Sequence, residues 1–146
     1  MRSVHIISIG KIAEELGKLL FDYKKMIKAD VKLIDISYSE KLPANLIKEY
    51  EAKKILNHLR QKSFKVALDI RGSYMDSHDF ANIVANKTDI DFVIGGAFGL
   101  SSTILENVDL RFSLSKMTFP YAIAKLILLE QIYRAQTILD NHPYHK

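Results

Sequence analysis

The strongest constraint on the fold of this 146-residue chain is a regular alternation of short apolar runs with segments of helical periodicity. Val4 to Ile9 alternates apolar residues with His5 and Ser8 and predicts a first strand, closed by Gly10. From Lys11 to Lys28, Ile12, Leu16, Leu19, Leu20, Tyr23 and Ile27 recur at spacings of three and four, which predicts an amphipathic helix. Val31 to Ile36 is a second strand and Ser37 to Pro43 a polar loop. Asn45 then caps a helix running to about Lys62, with Leu46, Ile47, Tyr50, Ile55, Leu56 and Leu59 on its inner side. Lys65 to Ile70 is a third strand, and Arg71-Gly72 turns the chain. Ser77 or Asp76 caps a third helix that buries Phe80, Ile83 and Val84. Phe92 to Ile94 is the fourth strand, a short helix runs from Ser101 to about Glu106, Arg111 to Leu114 is the fifth strand, and Ala122 to about Leu139 the last helix.

Parallel strands need a crossover of a dozen or more residues, and here a helix supplies each one. The expectation is an α/β fold: a mostly parallel sheet of five or six strands with helices on both faces, in one domain over residues 1–146. Ligands of such sheets bind beyond the carboxyl ends of the strands. Three loops share that edge in the second half of the chain: Asp69–Gly72, Gly95–Gly99 and Leu114–Pro120.

The middle loop carries three glycines within five positions, Gly95, Gly96 and Gly99, before a helix cap at Ser101 or Ser102. Strand, glycine turn and helix start bring backbone N–H groups close to a ligand; equally, the glycines can relieve crowding where strand meets helix. The spacing is not Gly-x-Gly-x-x-Gly, and no Lys-Ser/Thr pair follows, so a dinucleotide or P-loop site, and with it a nucleotide-dependent oxidoreductase, is disfavoured. No Gly-x-Ser-x-Gly elbow is present. The chain has no cysteine, which removes disulfides and thiolate chemistry. His5, His58 and His78 stand singly, and Pro143 separates His142 from His145, so no metal is expected. The most apolar segment, Tyr121 to Leu129, is short and interrupted by Lys125, and no leader pattern precedes the first strand; a soluble, cytoplasmic protein is expected.

Net charge is +4, unevenly placed. Residues 1–110 hold 16 basic and 15 acidic side chains, whereas residues 111–146 hold five and two. A basic carboxyl-terminal end suits a polyanion such as RNA, although from charge alone a solvated surface is the commoner reading. The tail Asn141-His142-Pro143-Tyr144-His145-Lys146 gathers aromatic, imidazole and basic groups that suit base stacking and phosphate contact, or else a frayed terminus. Arg134 offers a bidentate phosphate grip or a surface salt bridge, and Asp69 a ligand-orienting carboxylate or an Asx turn.

Taken in order, Ile94-Gly95-Gly96-Ala97-x-Gly99-Leu100-Ser101, Ser113-Leu114-Ser115-x-Met117-Thr118-x-Pro120, Glu130-Gln131-x-Tyr133-Arg134-Ala135 and Asn141-His142-Pro143-Tyr144-His145 resemble the RlmH family. This is the ribosomal RNA large subunit methyltransferase H group, whose members methylate N3 of a pseudouridine in 23S rRNA. Asp69-x-x-Gly72 fits as well, and the likeness covers essentially the whole chain. It implies an S-adenosylmethionine-dependent enzyme of the SPOUT class, a homodimer, with a carboxyl-terminal trefoil knot that binds the cofactor. Carried over by position, the cofactor contacts are Leu68, Gly95, Leu114, Ser115, Lys116, Met117, Thr118 and Phe119, while Arg134, Tyr144 and His145 serve the substrate. Phe98 stands where members usually have a polar residue, and Tyr121 where they commonly have histidine, so neither position carries a charge or an imidazole here.

The chemistry expected is alignment of N3 with an activated methyl group and removal of the N3 proton, with His145 taking the proton or orienting the base, Tyr144 stacking and Arg134 anchoring phosphate. The tail of one protomer is expected to close over the cofactor loops of the other. A small, modestly basic chain reads little RNA alone, so 23S rRNA in assembled ribosomes is the expected substrate. Two readings compete: a SPOUT methyltransferase with another RNA target, and a non-catalytic ribosome-binding domain that kept the fold.

Overall fold

A computed structural model describes residues 1–37 and 41–146, so the polar loop expected over Ser37–Pro43 lies partly outside the described residues. β1 (Ser3–Ile9) sends Val4 and Ile6 into one core layer and Ile7 and Ile9 into the other, the period of two of a strand buried on both faces. α1 (Glu14–Met26) has Glu14 and Glu15 in its first turn and Lys24 and Lys25 in its last, matching the helix dipole at both ends. It returns the chain to β2 (Asp30–Ile36), parallel to β1 from Ser3 opposite Asp30 to Ile9 opposite Ile36. α2 (Ala44–Leu56), β3 (Phe64–Ser73), α3 (Ser77–Ala85), β4 (Asp89–Ile94), α4 (Ser102–Leu105), β5 (Leu110–Phe112) and α5 (Tyr121–Leu139) follow. Asp76 caps α3 in a reciprocal capping box with Asp79, and the Ser101 hydroxyl caps α4 by accepting from the Ile104 N–H.

The five strands form one sheet in the order β2-β1-β4-β3-β5, and each neighbouring pair is parallel. α1, α3 and α5 supply Leu20, Phe80, Val84, Leu128 and Ile132 to the layer holding Ile6 and Phe92. On the other face, Ala52 and Ile55 of α2 and Ile104 of α4 pack on Ile7, Ile9, Ala67 and Val93. β1 sends the chain outward to β2, whereas β4, its neighbour, sends it the other way, past β3 to β5. A crevice at the carboxyl ends of β1 and β4 is the consequence.

Two polar clusters pin this frame. At the amino edge of the sheet, the buried Asp91 carboxylate accepts from the Arg60 amide and Nε, each at 2.7 Å, and from Ser63 Oγ at 2.7 Å. Near the carboxyl edge, Lys125 of α5 is fully buried; its ammonium donates to Ser8 Oγ at 2.9 Å and is ion-paired with Asp35 of β2.

The expected α/β architecture holds, with five strands rather than six, all of them parallel. Differences lie at the element ends. β3 continues past Ile70, because after a register shift beyond Leu68 its Ser73 pairs with Phe112; Arg71-Gly72 therefore lies within the strand extension instead of turning the chain. α1 is shorter than Lys11–Lys28 by its first three and last two residues. β4 already starts at Asp89, and β5 is shifted by one residue or more toward the amino end, to Leu110–Phe112. Pro43, with φ −56°, precedes α2, so Asn45 sits inside the first turn and is not the cap, and the helix ends at Leu56 rather than near Lys62. Its buried face is Glu51, Ala52 and Ile55. Leu46 and Tyr50 lie about 140° and about 100° around the helix from Glu51, and both are exposed. Leu19 is likewise exposed, because Leu20 takes the core position on α1.

Candidate functional site

The three carboxyl-edge loops converge on one cavity of about 1020 Å³. Ile9 of β1, the following Gly10 and Leu68 to Arg71 of β3 form part of its wall. Ile94 to Leu100 form a second side, and Ser113 to Ser115 with Met117 to Tyr121 a third. α2 closes it with Ile47, Lys48 and Glu51. Most of this wall is backbone and apolar side chain, so its specificity rests on N–H and C=O groups and on a few charges.

The glycine turn owes its residue types to two different demands. Gly99 has φ +73°, in the left-handed region, and pairs back to Gly96 across the turn. At Gly96 the demand is space: a Cβ there would stand 2.9 Å from Glu51 Oε1 and 3.1 Å from Ile9 Cγ2. The second glycine thus admits a carboxylate arriving from α2. Burial pushes the Glu51 carboxyl above its ordinary range, opposed by a hydrogen bond from the Gly96 N–H.

Asp69 forms the anticipated Asx turn and, in addition, an ion pair with Arg111. Its Oδ1 accepts from the Arg71 amide at 3.2 Å in an Asx turn, and its Oδ2 accepts from Arg111 at 3.1 Å and 2.5 Å. Burial works to raise this carboxyl, but the Arg111 and Arg71 hydrogen bonds and charges outweigh it, and the net shift is downward. Tyr121 donates its hydroxyl to the Lys11 carbonyl and so ties the start of α5 to the end of β1.

The tail forms a second cluster, on the far half of α5. Arg134 donates Nε and a terminal nitrogen to Glu130 Oε1 at 2.9 Å and 2.5 Å, one helical turn away. The Tyr144 hydroxyl donates to the same oxygen at 3.1 Å, and its ring lies 4.8 Å from the guanidinium carbon and 4.9 Å from Tyr133. Burial, with hydrogen bonds involving Tyr23 and Glu130, pushes the Tyr144 phenol up to about 12. Arg134 also lies 3.1 Å from His145 Nδ1, and His78 meets the His145 ring edge-on at 4.7 Å. A guanidinium only donates, so Nδ1 is the acceptor and the ring proton sits on Nε2. In this arrangement His145 is a donor that can orient a base; its lone pair is engaged. Arg134 starts from the salt bridge with Glu130, and a phosphate would compete for the same donors.

Of the eight residues matched to cofactor contacts, seven line the cavity: Leu68, Gly95, Leu114, Ser115, Met117, Thr118 and Phe119. Lys116 does not; its ammonium stands 5.9 Å from the centre of the Tyr74 ring. Arg134, Tyr144 and His145 are absent from the wall of the same chain's cavity, and ten residues of helix separate Arg134 from Ala124 at its rim, about 15 Å.

The cavity is therefore built by the motif loops themselves, at the switch point of a parallel sheet. Over residues 1–145 the chain matches the family described as "Predicted SPOUT methyltransferase". It belongs to the SPOUT methyltransferase family. Among curated relatives, "Ribosomal RNA large subunit methyltransferase H" of Acholeplasma laidlawii (strain PG-8A) is 42% identical, covering 98% of this chain and 99% of the relative. The protein of the same name from Clostridium botulinum (strain Hall) is 40% identical, covering 99% of each. In fold alone the chain is similar to "a probable methylase family protein from Haemophilus influenzae Rd KW20", with a TM-score of 0.55 at 18% identity, covering 99% of this chain and 70% of that one.

For a SPOUT methyltransferase, the feature that sequence reasoning missed here is Glu51. The inner side read from apolar residues omits it, and only its phase with Ala52 and Ile55 on one helical turn signals burial. Among the described residues no group of three or more His, Asp or Glu gathers as metal ligands, and no helix is long and apolar enough to cross a membrane.

Proposed function

We propose that this chain transfers a methyl group from S-adenosylmethionine to N3 of a pseudouridine in 23S rRNA of the large ribosomal subunit, as a cytoplasmic homodimer with the 1–146 domain knotted at its carboxyl end. The observation that carries the reading is the cavity, whose walls are the motif loops and whose size suits an adenosyl ligand. Its chemistry also fits: backbone groups at 95–99 and 113–120 suit the donors and acceptors of adenine, and the close-packed glycines leave the backbone accessible. Bound there, the cofactor supplies a methyl group already activated on a sulfonium, so the protein needs no metal or covalent intermediate.

The chain's own residues then have three tasks. Leu68, Gly95, Leu114, Ser115 and Met117 to Phe119 hold the donor and exclude water, while Lys116, outside the cavity wall, is not needed for that grip. Tyr144 and Arg134 hold the RNA, the first by stacking and the second by taking a phosphate in exchange for Glu130. His145, through Nε2–H, orients the base, and the N3 proton leaves to the surrounding water or, once Arg134 releases Nδ1, to the imidazole. Because the tail lies some three helical turns from the rim of its own cavity, it serves the cavity of the second protomer. The deciding experiment is methyl transfer from labelled S-adenosylmethionine to ribosomes lacking the modification, followed by mapping of the labelled nucleoside. Label on N3 of a pseudouridine in 23S rRNA is expected; label on tRNA, or binding to ribosomes without transfer, overturns the proposal.

A further inference from the structure

Glu51 stands apart from every other charged group at the cavity. Its side chain comes from α2, outside the motif loops, and the residue is only 4% exposed. It lines the cavity and stands so close to the turn that position 96 admits glycine alone without displacement. Among the described residues it enters no ion pair with Lys, Arg or His, whereas Asp69, the other acidic group in the wall, is neutralised by Arg111. Of the two basic residues in the wall, Lys48 shares α2 with Glu51, and Arg71 lies exposed on the β3 extension. A buried carboxylate without a counter-ion is costly, and its presence in a ligand cavity points to a cationic ligand group.

Resting on the proposed cofactor, we propose that the Glu51 carboxylate is the charge-selective wall of the cavity, favouring the sulfonium of the methyl donor over the thioether of the spent product. Methyl transfer removes the positive charge from sulfur, since the S–CH3 bond pair stays on it. A fixed carboxylate therefore binds donor and product unequally and promotes exchange after each turnover. The α-ammonium and carboxylate of the amino-acid end are common to both ligands, so the affinity ratio isolates the sulfonium.

The test is calorimetric titration of the full chain with S-adenosylmethionine, S-adenosylhomocysteine and an analogue bearing a protonated amine in place of the sulfonium. The wild type is expected to bind both cations more tightly than the thioether. Glu51→Gln keeps the shape and an acceptor for the Gly96 N–H, and should weaken the donor roughly tenfold, the loss of one screened unit-charge attraction, while changing the thioether less than about twofold. Equal weakening of all three ligands, or none, overturns the proposal and leaves Glu51 as a support for the glycine turn. A wild type that binds the thioether as tightly as the cations overturns it whether or not the variant folds. If no adenosyl ligand binds the wild type, the cofactor reading itself falls.

Discussion

Replacing Asp35 with Asn and, separately, Lys125 with Met should expose an asymmetry built into the pair that joins α5 to the sheet. The Lys125 side chain is fully buried, whereas the Asp35 side chain remains 40% exposed. Asp35→Asn strips the counter-ion from an ammonium that has no route to water, and breaking a buried pair in this way costs about 3–5 kcal/mol. Lys125→Met removes the cation, keeps the volume, and leaves a carboxylate that already reaches solvent and still accepts from Ser8 Oγ at 3.1 Å. That loss should stay below about 1 kcal/mol, the range of half-exposed ion pairs. At roughly 2–4 °C per kcal/mol for a chain of this size, Asp35→Asn lowers Tm by about 6–20 °C and Lys125→Met by less than about 4 °C. The double variant should melt near Lys125→Met, since without the ammonium the Asn costs little. Urea and thermal melts followed by circular dichroism at neutral pH measure all three. Equal losses for the two single variants, or a double variant as unstable as Asp35→Asn, would refute the burial argument. The stakes are functional, because Lys125 adjoins Ala124, a residue of the cavity wall.

Three further outcomes follow from the site. Gly96→Ala drives a methyl to 2.9 Å from Glu51 Oε1 and 3.1 Å from Ile9 Cγ2, so the wall must shift; a stability cost of about 1–3 kcal/mol and weakened S-adenosylmethionine binding are expected, and wild-type affinity would count against the close approach. Because burial holds the Glu51 carboxyl above its ordinary range, the unfolded chain sheds this proton first as pH climbs. Its contribution to stability is fully present below the ordinary glutamate value of about 4.3 and is lost as pH rises through the folded value. Glu51→Gln should therefore gain stability relative to wild type as pH rises from about 4 through the folded value, and a constant difference in urea midpoints would contradict this. His145→Ala should lower turnover on ribosomes at least roughly tenfold with S-adenosylmethionine affinity nearly unchanged; lost affinity with retained turnover would reverse the assignment.

How far the chain could be read in advance varied with the range of the forces involved. Strand and helix identity followed from periodicity, because a period of two or 3.6 is imposed residue by residue. Helix phase did not follow as well: Leu46 is as apolar as Ile55, yet α2 turns Ala52 to the sheet, where a small residue allows close approach. The cavity loops were foreseeable, since the carboxyl edge of a parallel sheet follows from element order. The Glu51–Gly96 contact was not, because 45 positions separate the two residues and nothing local to either announces the other. The tail differed again. Its composition suggested a use, but its engagement with Glu130 and His78 depends on where α5 and α3 pack together.

By itself, then, the order of residues determined the parallel α/β class, the edge on which a ligand sits and the loops that form its walls, because alternation, turn chemistry and caps are local properties. Only the tertiary structure decided which charges stand there. It buried Glu51 against a glycine turn, neutralised Asp69 with Arg111 and set Lys125 between Ser8 and Asp35. Electrostatic environment is a property of neighbours in space, and a chain acquires such neighbours only on folding.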